Sequence, residues 1–332
     1  MVVVGISRGA SELREPGGNM KTMGEGVSPE ERQLEAVVSQ IAEWQGGANY
    51  YTPVGGGISN ENWRVDVACL HRSFFCKIPG AGTEMFIKRD TAHEASLKAA
   101  ATGFGVPVYA FLKESGVQIF DFLEGWRASS NRDFLDRDVR HNALTALKAF
   151  HQQPALAQTK TIFDMIEEHN RQVSELDARR PADHAHLHVR YEEAKAALLA
   201  AGSALCPCMN DTLAGNFMLD AQRAIMLVDF EYASNNDPYY ELAAWFGEMF
   251  FDEETALELL EDYFGTVRQQ DVARIALNRA LADVKWSTWA MVQLRMSRID
   301  FDFYKYGSWK TMRARSLMND PRWNDWLQQV AG

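Results

Sequence analysis

No stretch of this 332-residue chain approaches the ~20 consecutive apolar residues that a membrane-spanning helix requires, so no membrane partner is expected. Cysteine is scarce. Cys69, Cys76, Cys206 and Cys208 are too few and too unevenly spaced for a disulfide framework, and they read as reduced thiols. Basic residues are outnumbered, 34 Lys and Arg against 45 Asp and Glu, for a formal net charge of −11. That balance lacks the basic stripe of a protein that neutralises nucleic-acid phosphates, so no nucleic-acid partner is expected and a small cation suits the charge better. The apolar opening Met1–Ile6 has no basic start and runs into Ser7, Arg8, Gly9 and Glu12, which does not read as a secretory signal. A cytoplasmic location follows, and no feature specifies an oligomeric state.

What is present fits a soluble globular protein: 46% hydrophobic and 24% charged residues, with length enough for two lobes. Residues 1–27 are rich in Gly and Ser without a periodicity that would bury a face, and they read as a flexible tail in which Met20 and Met23 offer later starts. Ser28-Pro29-Glu30-Glu31 then carries a capping box with Pro at the first helical position, which predicts a helix to about Trp44. Alternating segments at Tyr50–Val54, Trp63–Val67, Phe74–Ile78, Val108–Phe111 and Gln118–Phe122 predict five strands, with a helix around Ala92–Ala101. The expectation is an α+β chain: an antiparallel-sheet lobe over 28–122 and a mainly helical lobe over 123–332. One strand-loop-strand element interrupts the helical part, where Ala204–Met209 and Ile225–Phe230 flank Asn210–Asp220.

The polar residues of that element have a chemistry. Asp211 and Asn216 are five apart, and Asp229 follows on the next apolar run, a close spacing of acidic and amide groups. Asp and Asn also favour turns, so a plain hairpin is the alternative. In the first lobe, Gly55-Gly56-Gly57-Ile58-Ser59-Asn60 lies between two strands, where bare backbone amides approach phosphate oxygens closely. Lys77 sits within the apolar strand Phe74–Ile78, where an ammonium needs an anionic partner unless it faces solvent at an edge. Glu94, on the next helix, is the candidate partner, with a plain surface charge as the other reading.

The order of these groups resembles that of kinases: glycine loop, strand lysine, helix glutamate, then an Asp with an Asn five residues on and a metal-binding Asp on the next strand. Gly55–Asn62, Lys77-Ile78-Pro79-Gly80, Met209–Met218 and Val228–Ala233 together look like the choline/ethanolamine kinase branch of the aminoglycoside-phosphotransferase-like families, over roughly residues 50–310. The resemblance implies a bilobal protein-kinase-like fold and an enzyme using ATP and magnesium. By it, Asp211 orients the acceptor hydroxyl, Asn216 and Asp229 hold magnesium, and Gly55, Gly56, Gly57, Ser59, Asn60, Lys77 and Glu94 bind the nucleotide phosphates. Phe122 and Leu123 fall where kinases bind adenine through backbone groups.

The late segment Trp286-Ser287-Thr288-Trp289, followed by Gln293, Ser297, Asp302 and Tyr304, resembles the family's helix with two tryptophans three apart. That spacing puts both rings on one face, suited to a methylated cation that cannot donate hydrogen bonds, though core packing uses the same spacing. Glu231 and Glu248 complete the implied acceptor site. Two positions depart from the family pattern: Met209 stands where a His is usual, and Glu241 where an Asp is. The partners implied are a nucleotide and a small cationic alcohol; an aminoglycoside or other amino sugar is the alternative acceptor, and a non-catalytic binding protein the alternative class. His184, His186 and His188 read as solvated surface. Cys206 and Cys208, one residue apart and without a second cysteine pair, read as buried strand residues and not as a zinc site.

Overall fold

The computed structural model describes residues 20–55, 60–80, 87–297 and 299–332. Strand β1 (Lys21–Thr22) precedes helix α1 (Pro29–Val38), whose predicted capping box forms between Ser28 and Glu31. Next come β2 (Asn49–Pro53), β3 (Asn60–Val67), β4 (Arg72–Pro79), α2 (Arg89–Ala101), β5 (Val108–Leu112), β6 (Val117–Asp121) and the short β7 (Arg127–Ala128). The chain then enters a helical stretch of α3 (Arg137–His151), α4 (Ile162–Glu175) and α5 (His184–Ala201), closed by β8 (Cys206–Cys208). It returns for the hairpin β9 (Phe217–Leu219) and β10 (Ile225–Leu227). Finally β11 (Ser234–Asn236) leads to α6 (Pro238–Met249), α7 (Glu253–Phe264), α8 (Gln269–Met296), α9 (Phe303–Met318) and α10 (Trp323–Ala331).

Two compact units result. Residues up to Ser130 together with Gly215–Tyr232 form one, and Asn131–Ala214 with Ala233–Gly332 form the other. A simple division near residue 122 therefore misplaces the β9–β10 hairpin. The reason lies in pairing: β7 joins β9, and Gly105 bridges Leu227 while the Phe104 carbonyl accepts from the Leu227 amide at 2.7 Å. Position 105 has to be glycine, because a Cβ there would lie 2.5 Å from the Ala99 backbone.

In the sheet unit the strands run β1-β2-β3-β4-β6-β5, every pair antiparallel. Strict alternation along β4 sends Phe74, Cys76 and Ile78 into a core with Leu34, Trp44 and Val65, and turns Phe75 and Lys77 to the opposite face. The expected tail is corrected at its end. Lys21–Thr22 pair with Tyr50 and Tyr51, and the amides of Gly24 and Gly26 donate to Glu35 at 2.8 Å each, so local hydrogen bonds order a segment with little apolar content.

The helical unit is organised by α8, which packs on α4, α6, α9 and α10. Its core takes Leu277 and Leu281 from α8, Ile166 from α4, Tyr240 from α6 and Trp323 from α10. At about 1.5 Å per residue a helix of 28 residues spans roughly 42 Å, long enough to bring several distant segments onto one scaffold.

Candidate active site

In the sheet unit a cavity of about 340 Å³ opens on the side of the sheet away from that core. Gly55, Asn60 and Lys77 line it, as do Phe122 and Leu123, with Leu227, Asp229 and Phe230 from the β9–β10 hairpin. Two of the expected nucleotide contacts, Phe122 and Leu123, thus sit together with Lys77 on one cavity. Gly56, Gly57 and Ser59 lie outside the described residues.

Lys77 does not pair with Glu94 as the sequence suggested. Its Nζ contacts Asp229 Oδ1 at 2.6 Å and Glu231 Oε1 at 3.2 Å, whereas Glu94 pairs with Lys98 one turn along its own helix at 2.8 Å. Burial alone would push the Lys77 ammonium down, but Asp229 and then Glu231 hold it above its ordinary value. The same burial pushes the Asp229 carboxyl up, and with Lys77 beside it the group still lies below the usual carboxylate range. Asp229 adopts φ +67°, a left-handed conformation uncommon for a residue other than glycine.

Glu231 belongs to this cluster too. Its Oε1 accepts from Asn60 Nδ2 at 2.7 Å and from Arg89 at 2.8 Å as well as from Lys77. Through that one oxygen Glu231 ties Asn60 at the start of β3 and Arg89 at the start of α2 to Lys77. Arg89 was missed in the sequence, where it is one helix-terminal charge among several. The carbonyl of Asn216 accepts from the Val228 amide at 3.0 Å, which sets Asn216 across the hairpin from the residue before Asp229.

The helical unit holds Asp211, buried with 2% of its surface exposed. The residue before it is fastened at every polar atom. The Asn210 amide donates to Glu241 Oε1 at 2.6 Å, its Nδ2 to Ser234 Oγ at 2.8 Å, its Oδ1 accepts from Asn236 Nδ2 at 2.9 Å, and its carbonyl from Lys285 Nζ at 3.3 Å. Asn210 takes φ +62°, which Asn tolerates better than most residues. Met209 is fully buried and contributes packing only, so the support expected of a His comes from Asn210 and Glu241. The second oxygen of Glu241 meets His151 Nε2 at 2.6 Å.

Trp286 and Trp289 lie edge to face on α8, centroids 5.6 Å apart at 82°. Neither ring is an open wall. Lys285 Nζ sits 3.1 Å from the centroid of Trp286, and both tryptophans are buried. Glu248 on α6 pairs with Lys310 of α9, whose ammonium also lies 4.9 Å from the Trp309 centroid. The expected acid and aromatics are therefore gathered in one unit, but the cations on them are the chain's own lysines. Burial drives the Lys285 ammonium well below its ordinary value although Asp211 pulls it up.

The chain has relatives among known proteins. The choline/ethanolamine kinase family profile matches residues 51–270. Among curated proteins, the chain is 24% identical to probable choline kinase 2 of Arabidopsis thaliana, covering 82% of this chain and 87% of that one. It is 22% identical to protein LicA of Haemophilus influenzae, covering 72% of each. Among solved structures, a choline/ethanolamine kinase family protein from Mesorhizobium loti superposes with TM-score 0.77 at 24% identity, covering 91% of this chain and 99% of that one. Choline kinase LicA from Streptococcus pneumoniae gives TM-score 0.72 at 21% identity, covering 88% and 99%. The fold is the bilobal α+β fold of protein-kinase-like phosphotransferases, and the chain belongs to the choline/ethanolamine kinase family.

Proposed function

We propose that the chain transfers the γ-phosphoryl group of ATP to the hydroxyl of choline, ethanolamine or a related amino alcohol, with magnesium. The observation that carries this reading is the pairing of Lys77 with Asp229 at the wall of a cavity of about 340 Å³, within the size range of small-ligand sites, with Glu231 behind them on Lys77. Asn216 and Asp229 offer an amide and a carboxylate oxygen, donors that fit magnesium; bound there, the ion would draw charge from the phosphate oxygens. Lys77 exchanges its carboxylate partner for the phosphates and stays charged. Asp211 accepts the proton of the acceptor hydroxyl as that oxygen bonds to the γ-phosphorus and ADP leaves. Asn210 and Glu241 hold Asp211 in place, which is why Met209 does not argue for a non-catalytic protein. No described helix is long and apolar enough to cross a membrane, and we place the reaction in the cytoplasm.

An amino-sugar acceptor has one observation in its favour. Glu248 is already paired with Lys310, so a compact cation meets no uncommitted carboxylate there, and a larger polyamine would gain from contacts elsewhere. ADP release across a panel of choline, ethanolamine and aminoglycosides, for wild type and Asp211→Asn, tests both. Turnover on an amino alcohol that Asp211→Asn lowers about 10²–10⁴-fold is expected. Turnover confined to aminoglycosides selects the second reading, and equal rates in the two proteins remove Asp211 from the chemistry.

A further inference from the structure

Spacing along the chain left Cys206 and Cys208 without a third ligand, and the fold supplies one. Both lie on β8, where residues two apart face the same side of the strand, and their Sγ atoms are 3.8 Å apart. His151, the last residue of α3, brings a ring nitrogen to them, so that the three ligand atoms fall within 4.8 Å of one another. Two thiolates on a tetrahedral zinc, each at about 2.3 Å, stand about 3.8 Å apart. The strand already presents that edge. A disulfide would instead require the sulfurs to close to about 2.05 Å.

The surroundings suit a cation. His151 Nε2 meets Glu241 Oε2 at 2.6 Å and Nδ1 meets the Tyr263 hydroxyl at 2.7 Å. A carboxylate on one imidazole nitrogen is the outer-shell contact that orients a metal-bound histidine and raises its basicity. In the tautomer whose Nε2–H donates to Glu241, Nδ1 carries the lone pair a metal ion would take, and the Tyr263 hydroxyl would turn an oxygen lone pair to the same ion and keep its proton. Cys206 is also the more exposed of the two sulfurs, which gives an ion a way in.

We propose that His151, Cys206 and Cys208 form a binding site for a thiophilic divalent cation of the zinc class, with the Tyr263 hydroxyl at the fourth position. Two sulfurs and an imidazole are poor ligands for magnesium, so this site is chemically separate from the oxygen donors Asn216 and Asp229. Through Glu241, which holds both His151 and the Asn210 amide, the ion would bear on the segment that carries Asp211.

The test uses the full chain, metal-free and kept reduced with a phosphine. Dialysis against micromolar Zn²⁺ alone, followed by elemental analysis, is expected to leave one equivalent bound. Co²⁺ in its place is expected to give the thiolate charge-transfer and visible bands of a tetrahedral sulfur-nitrogen site. Cys206→Ser, at the less buried position, should lose both signals while retaining its fold by circular dichroism, and Cys69→Ser, at an exposed cysteine, should keep them. Retention of less than a tenth of an equivalent by wild type, or an unchanged Co²⁺ spectrum in Cys206→Ser, overturns the site. Should Cys208→Ser fail to fold, the Cys206→Ser result decides alone.

Discussion

The two units treat their inward-facing lysines in opposite ways. In the sheet unit Lys77 leans on Asp229 and Glu231 at the wall of an open cavity, so its charge is both neutralised and available. In the helical unit Lys310 and Lys285 are each 0% exposed, one against Glu248 and the other against the Trp286 ring. A cation at a cavity wall changes partners at low cost, whereas one sealed under aromatic rings must be displaced or neutralised first. On the proposed function, Lys77 already stands where phosphates would need it, whereas Glu248 in the helical unit is already held by Lys310.

The contrast breaks most easily at Lys77. Lys77→Met should lower phosphoryl transfer by about 10²–10³-fold, measured as kcat/KM for ATP, because it removes preorganised positive charge from the phosphates. An effect below threefold would mean that the sheet unit is not the nucleotide side. In the helical unit, if the acceptor cation displaces Lys285 from Trp286, replacing Trp286 and Trp289 together by Ala should raise the KM for choline about tenfold while leaving the KM for ATP within twofold, the loss expected of cation–π contacts. An unchanged choline KM would return both rings to the core.

Asp283 sharpens the comparison from its pH side. It is 1% exposed, beside Arg313 at 3.0 Å, and burial pushes its carboxyl up to about 6 from an ordinary 3.8. The folded form therefore keeps a proton that the unfolded chain gives up above 3.8, so this residue lowers stability as pH rises from about 4 to about 6. Asp283→Asn should flatten that decline, worth about 1–3 kcal/mol, in melting curves taken across the window. The smallest effect belongs to the start of α1, where Ser28→Ala removes a formed cap and should cost about 1 kcal/mol without altering any kinetic constant.

Much of the sheet unit was legible in the chain because its signals are local. Alternation in Phe74–Ile78 already turns Lys77 away from the core, and the capping box at Ser28 marks the start of α1. Partners from distant segments were not legible. Glu94 stands on the right helix for Lys77, but Asp229 and Glu231, more than 150 residues away, win the ammonium by proximity across the hairpin. Spacing put Trp286 and Trp289 on one face; it carried no sign that Lys310, on another helix, would fill the acid beside them. Nothing near Cys206 in sequence pointed to His151.

Met209 has a further consequence. An imidazole carries a titratable proton, whereas the thioether at this point has no proton to lose. Its weakness is oxidation, which would place a polar sulfoxide oxygen inside a site that has none of its surface exposed. Oxidant reaches so enclosed a sulfur when this segment opens, so the sulfoxide fraction at 209 would serve as a chemical record of how often the loop bearing Asp211 comes undone.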